Sequence, residues 1–409
     1  MSQGFSTSTL PESFPAVPNA TPPATDAGME ENAAPSAPEG PPVRQPMRGD
    51  FELKPFMDSS DLRASWQIAN TVLPYAALWW VADWSRQHAP LLLIPTLGLM
   101  VLLLARCFSL MHDCGHDSLF RHRRANQVFG FLLGVLSAIP QYPWSRGHAY
   151  HHRHNGDWEK YQGPSALVTT GAFAALPPGQ KRVYRWLRHP LMLFPGGFFY
   201  LVIKPRLALL LGLGGFFPHL AACLRAPQRM GLGQIFTSYR SRHWYTQGEF
   251  RHLLANNIAV IGSWWLMAHW LGAGVFWSLY APVMACAAAI FICIFFVQHN
   301  FPGSYAHATA GWSEMTGVLE GTSDLELPPL LNWFSADIGC HAIHHLSSKI
   351  PNYRLRACQA RNAHLLQGVR RLSLADIPGC FSYILWDPQA CRLTTIEALA
   401  TAPGAPAAA

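Results

Sequence analysis

Charged side chains are scarce in this sequence. Only 13% of its 409 residues are Asp, Glu, Lys or Arg, against 50% hydrophobic residues and 15 Trp. Soluble chains carry roughly a quarter charged residues, so the balance excludes an ordinary soluble enzyme and fits an integral membrane protein. Acids are outnumbered, 23 against 30 bases, for a net charge of +7. The bases are dispersed between apolar runs rather than gathered in a patch. That argues against a nucleic-acid partner and favours an anionic cytoplasmic leaflet. The nine cysteines form no CxxC pair, which leaves no zinc ribbon and no thioredoxin-type redox pair. Neither a secretory signal nor an Arg-rich transit peptide opens the chain. Residues 1–50 are instead rich in Pro, Ala, Ser and Thr and include Glu12, Asp26, Glu30, Glu31 and Glu39. This arm is expected to be disordered and the Ala/Pro-rich tail 391–409 flexible, leaving 51–390 as one membrane domain.

Long apolar runs are abundant. A membrane-spanning helix needs about 20 mostly apolar residues, and four segments approach this: Trp66 to Trp84, Leu91 to Met111, Leu253 to Leu271 and Val275 to Val297. Short turns at Ser85–His88 and Gly272–Gly274 pair them into two hairpins. The hairpin turns hold little charge, whereas Arg121, Arg123, Arg124, Arg146 and Arg153 follow the second span and Arg354, Arg356 and Arg361 follow the fourth. The positive-inside rule then puts the long loops and both termini in the cytoplasm. The expected fold is an all-α, multi-pass integral membrane protein with four transmembrane helices in two hairpins and a cytoplasmic helical cap. A bacterial inner membrane is the expected location. Leu191 to Phe217 is long enough to cross, but Lys204-Pro205-Arg206 interrupts it. It is expected to form two half-length pieces, interfacial or re-entrant.

Against this background the histidines stand out. His112-Asp113-Cys114-Gly115-His116 follows the second span. His148-Ala149-Tyr150-His151-His152 and His341-Ala342-Ile343-His344-His345 repeat one spacing, and His299 stands alone after the fourth span. Imidazoles three or four residues apart share a helix face, about 6 Å apart along the axis. Each box can therefore aim its rings at one point. Nine such nitrogens exceed the ligands of a single ion and suggest two. Neutral imidazole suits Zn, Cu, Fe or Ni, and the boxes lack the Glu-x-x-His pattern of soluble di-iron bundles. Asp113, Asp117 and Asp337 are candidates to hold the outer ring N–H groups. Asp337 precedes His341 by four residues, so a helix would join them. His154 falls at position 7 of its box and is expected to point away.

With the segments Gln298-His299-Asn300-Phe301, Gly311-Trp312, Leu319-Glu320-Gly321-Thr322-Ser323 and Asn332-Trp333-Phe334-Ser335-Ala336-Asp337, the boxes resemble those of the membrane-bound fatty acid desaturases. The similarity covers about residues 60 to 365 and is greatest to the omega-6/delta-12-type acyl-lipid branch. It implies a non-haem centre of two Fe ions held by the box histidines, with His299 matching an additional ligand of that family. The implied reaction is O2-dependent introduction of a cis double bond into the acyl chain of a membrane lipid, in an apolar tunnel that residues around Trp312 to Trp333 help to cover. No HPGG haem segment and no Cys cluster is present, so a separate electron carrier, a ferredoxin or a cytochrome b5-like protein with its reductase, is implied. Asn155-Gly156-Asp157-Trp158 departs from the Thr-containing continuation of many delta-12 members, so double-bond position is not fixed. Two other readings share the boxes: a di-iron hydroxylase or ketolase of lipids, carotenoids or alkanes, and a zinc-binding membrane receptor or hydrolase.

Overall fold

The computed structural model describes residues 45–161, 167–226 and 230–401. The arm expected to be disordered lies outside the described residues up to position 44, and so does the tail from 402. Within Gln45 to Asp50, at the surface, Arg48 pairs with Glu314 at 3.3 Å. Near the C-terminal end of the described residues, Arg392–Thr394 form a strand and Ile396–Thr401 a short helix.

Helices dominate. Helix α1 (Asp61–His88) is capped by Ser60, whose hydroxyl accepts from the Arg63 N–H at 3.4 Å. Ala89 alone separates it from α2 (Pro90–Gly115), because Pro90 at the first helical position leaves no N–H unsatisfied. Next come α3 (Arg123–Leu136) and α4 (Gln141–Arg153), then a continuous helical run, α5 (Pro190–Arg225). Helix α6 (Gln247–Leu271) opens on a capping box of Thr246 and Glu249. It is joined to α7 (Ala273–Val297) by Gly272, whose φ of +83° suits a residue without a Cβ. The short α8 (His341–Leu346) and α9 (Asn352–Arg361) complete the cap.

The two expected hairpins are therefore present, and α1 and α7 both pack along α2. Their four free ends lie together. Asp61 at the start of α1 accepts from the Arg121 N–H just past α2, at 2.9 Å. Glu249 at the start of α6 pairs with Arg146 of α4 at 3.1 Å. One core runs through the hairpins, with Met100, Leu104, Phe108, Phe276 and Met284 all nearly inaccessible.

Among the described residues, three helices are long and apolar enough to cross a membrane: α2, α5 and α7. Helices α1 and α6 are as long, but Arg63, Asp83 and Arg86 in one and Glu249, Arg251, Asn256 and Asn257 in the other lower their hydropathy. Both still present large apolar side chains outward, among them Trp66, Leu73, Trp80, Trp265 and Leu266. Exposed apolar surface on that scale marks contact with lipid or protein.

The expectation for 191–217 is corrected. No break divides it: the helix continues through Lys204-Pro205-Arg206. A π-helical stretch at Phe199–Ile203 absorbs the irregularity, and Pro205 falls in the first turn of the segment that follows. Arg206 turns inward, donating to the carbonyl of Ala138 at 2.5 Å and to Asn256 Oδ1 at 2.9 Å.

Among the described residues, five short strands add to the helical plan. Strands β1 (Val168–Thr169), β4 (Leu385–Asp387) and β5 (Arg392–Thr394) form one sheet, with β1 parallel and β5 antiparallel to β4. Strands β2 (Ser323–Leu325) and β3 (Arg370–Leu372) form a parallel pair. They tie the chain after α7 to the C-terminal segment.

Candidate metal centre

The eight box histidines and His299 converge. His112 and His116 end α2, His148, His151 and His152 share one face of α4, and His341, His344 and His345 line α8. Gly115 lets the first two boxes meet, since a Cβ there would strike the Ser145 side chain of α4. Ring nitrogens fall into two groups, within each of which all lie within 4.8 Å of one another. One is His112, His116, His148, His152 and His344; the other is His151, His299, His341 and His345. Boxes two and three are thus each divided between the groups. Their i, i+3, i+4 spacing fans neighbouring rings toward two points rather than one.

The spacing within each group fits metal ligation. His112 Nε2 lies 2.9 Å from His148 Nε2, which lies 3.0 Å from His152 Nε2. His299 Nε2 and His341 Nε2 are 3.0 Å apart. Two ligands at right angles around one ion, with metal–nitrogen bonds of about 2.1 Å, would stand about 3 Å apart. Several buried ring nitrogens also have no hydrogen-bond partner among the described residues: His116 Nε2, His344 Nε2, and both nitrogens of His151 and His345. Each such orphan costs about 1–3 kcal/mol unless something accepts its lone pair. Two cations between these rings would accept one lone pair from each ring, and the donor set fits.

Electrostatics supply the right protonation state. Burial, with the neighbouring imidazoles adding to it, holds His116, His148, His151, His152, His341, His344 and His345 well below the usual histidine range. Burial also brings His299 down to about 4, against the opposing hydrogen bond of its Nδ1 to the Gly321 carbonyl. The rings are neutral, which is the form that binds metal.

Among the three acidic candidates, Asp113 is the one placed against a ring. Its Oδ1 lies 3.1 Å from His112 Nδ1, and its Oδ2 accepts from the backbone and side-chain N–H groups of Asn352 at 2.8 and 2.9 Å. Box one is thereby tied to the segment after box three. Asp117 turns outward to Arg123, 3.7 Å away. The helix that would join Asp337 to His341 does not exist: one helix ends at Phe334, Asp337 has φ +53°, and α8 begins only at His341. The carboxylate at α8 is Asp324 on β2, which accepts from the Ala342 N–H at 3.0 Å and also holds Gln359. Sequence spacing did not reveal Asp324 or Asn352. Asp324 stands between Glu320 and Glu326 in the sequence, and nothing in its spacing sets it apart from them. His154 bonds Tyr150 O at 3.0 Å, outside both groups.

Two cavities reach the rings. The larger, about 510 Å³, lies between α2, α5 and α7 and touches His112. Leu325, Leu327, Leu331 and Phe334 cover it, as expected for the 312–333 stretch. Trp312 lies elsewhere, its indole N–H donating to the Asn155 carbonyl at 2.8 Å. The smaller cavity, about 210 Å³, touches His148 and His151. Phe291 and Phe295 of α7 line both. Buried Arg106 of α2 anchors the cover by donating to the Trp333 carbonyl, while its Nε donates to Thr71 Oγ1 at 3.0 Å.

Comparison with known proteins places this geometry. The profile of a family described as "Fatty acid desaturase" matches residues 86–372. A fatty acid desaturase of Bacillus subtilis is 27% identical over 82% of this chain and 87% of its own. An sn-1 oleoyl-lipid 12-desaturase of Picosynechococcus is 25% identical over 76% of this chain and 78% of its own. An acyl-lipid omega-3 desaturase of Arabidopsis thaliana, named with cytochrome b5, is 28% identical over 63% and 60%.

Proposed function

Because the chain belongs to the fatty acid desaturase family, we propose that it introduces a cis double bond into the acyl chain of a membrane lipid, using O2 and electrons from a separate carrier. The observation that carries this reading is the pair of histidine groups opening onto an apolar cavity. His112, His116, His148, His152 and His344 would hold one iron, and His151, His299, His341 and His345 the other. Iron held there would supply, by reacting with O2 and electrons from the carrier, an oxidant able to take hydrogen from an unactivated methylene. The rest is the protein's part: neutral rings leave the ions their charge, Asp113 and the Gly321 carbonyl orient His112 and His299, and the apolar walls hold the chain and exclude water. The relatives' names support an acyl-lipid substrate, and one names cytochrome b5; the carrier we propose is of that type or a ferredoxin.

The proposed membrane placement has four crossings, α1, α2, α6 and α7, with the histidines cytoplasmic. Convergence of the boxes supports it through parity. Box two and box three can share a site only if the chain between them crosses an even number of times. The hairpin α6–α7 supplies two, so α5, though long and apolar, would lie along the interface or re-enter. Mass spectrometry of lipids from a host expressing the protein tests the function. New double bonds made by the wild type, and none by His151→Ala or His344→Ala at equal membrane abundance, are expected. New hydroxyl groups in their place would refute it.

A further inference from the structure

The two cavities differ in charge, and the difference gives a bound lipid a direction. This inference rests on the desaturase reading. The larger cavity has no Lys, Arg, Asp or Glu in its wall. The smaller has Lys204 and Glu249, together with His243. Glu249 is already engaged, by Arg146 at 3.1 Å and by the Tyr245 N–H at 2.6 Å. The neighbouring cation Arg206 is consumed by the carbonyl of Ala138 and by Asn256. Lys204 has no carboxylate partner among the described residues; its ammonium stands 5.0 Å from the centre of the Tyr200 ring. A half-buried ammonium at an apolar wall is costly unless an anion meets it, and here the wall continues to His148 and His151.

We propose that Lys204 anchors the phosphodiester of a membrane phospholipid at the mouth of the smaller cavity. The acyl chain then runs inward past Phe291 and Phe295, beside the histidines, and ends in the larger, uncharged cavity. The headgroup cannot lie at the other end, because nothing there offers a charge. Helix α5, which carries Lys204, presents Leu207, Leu210, Leu211 and Phe217 outward, and such a surface meets a bilayer rather than a soluble thioester carrier.

Two measurements on the full-length protein test this. The first is anaerobic binding, without turnover, of lysophosphatidylglycerol and of a monoacylglycerol with the same chain, read by quenching of Trp144 and Trp244 in the cavity wall. In Lys204→Gln, affinity for the phosphate-bearing lipid is expected to fall about tenfold relative to the neutral one, and Lys204→Arg to restore it. The second is turnover in nanodiscs, where Lys204→Gln is expected to raise KM for phosphatidylglycerol relative to a galactolipid while kcat holds. Equal binding ratios in wild type and Lys204→Gln would overturn the anchor. A Lys204 effect seen with soluble acyl-CoA and not with phosphatidylglycerol would overturn the bilayer source. Loss of all desaturation while the binding difference persists would count against the desaturase reading and leave the anchor standing.

Discussion

Asp113 offers a sharp test of how the centre is held. The carboxylate is 3% exposed and serves three donors, His112 Nδ1 and the two N–H groups of Asn352, at 2.8 to 3.1 Å. Asp113→Ala strands all three in the interior. At about 1–3 kcal/mol for each unsatisfied group, that is about 3–9 kcal/mol, a large share of the stability of an ordinary domain. Asp113→Asn is the better probe, because it keeps the shape and one acceptor while facing the Asn352 donors with an amide. Its expected effect is a lower Tm and iron affinity reduced by about 10–100-fold, the usual cost of losing a partner that orients a ligand. Iron per chain is measured by chelator competition and stability by thermal unfolding of the same samples. Chelator resistance and Tm equal to those of the wild type would refute the claim that Asp113 fixes His112 and ties box one to box three.

Further outcomes follow from the same geometry. The buried histidines should make the protein acid-labile. Their folded-state pKa values lie below the unfolded value of 6.5, so stability is complete above 6.5 and is lost as pH falls and the unfolded chain alone takes up protons. His299, at about 4, should contribute about 3 kcal/mol of loss between pH 6.5 and 4; a pH-independent unfolding midpoint across that window would contradict this. Gly115→Val should drive α2 from α4 through Ser145 and lower both iron content and product at least tenfold, read by metal analysis and lipid profiling; wild-type iron loading would contradict it. Ala289→Trp, in the wall of the larger cavity, should shift preference toward shorter acyl chains in mixed-substrate assays, and unchanged chain-length preference would mean the chain does not end there.

Much of the site was legible in the sequence because helical spacing and the sidedness of hairpins are local. The i, i+3, i+4 repeats of boxes two and three announced convergent rings, and hydropathy with charge placed every box at one end of two hairpins. What the spacing could not give was the division of each box between two centres, which depends on how α4 and α8 face one another. Asp337 misled for a related reason. Four residues equal one helical turn only if the backbone stays helical, and the left-handed Ala336 and Asp337 break it. Asp324 takes the place at α8 through a strand pairing with β3, a contact across nearly fifty residues that no local pattern encodes. The run 190–225 misled because Pro205 was read as an interior breaker; after the π-helical stretch it sits in an opening turn, where proline is tolerated. The strands of the C-terminal segment were missed because two- and three-residue pairings carry almost no periodic signal.

The claim on which the rest depends is that two irons sit among nine converging imidazoles. Anomalous diffraction at the iron edge from crystals of the iron-loaded protein tests it most directly. Two peaks are predicted, one enclosed by His112, His116, His148, His152 and His344 and the other by His151, His299, His341 and His345. A single peak, or a signal at the zinc edge with none at the iron edge, would contradict it.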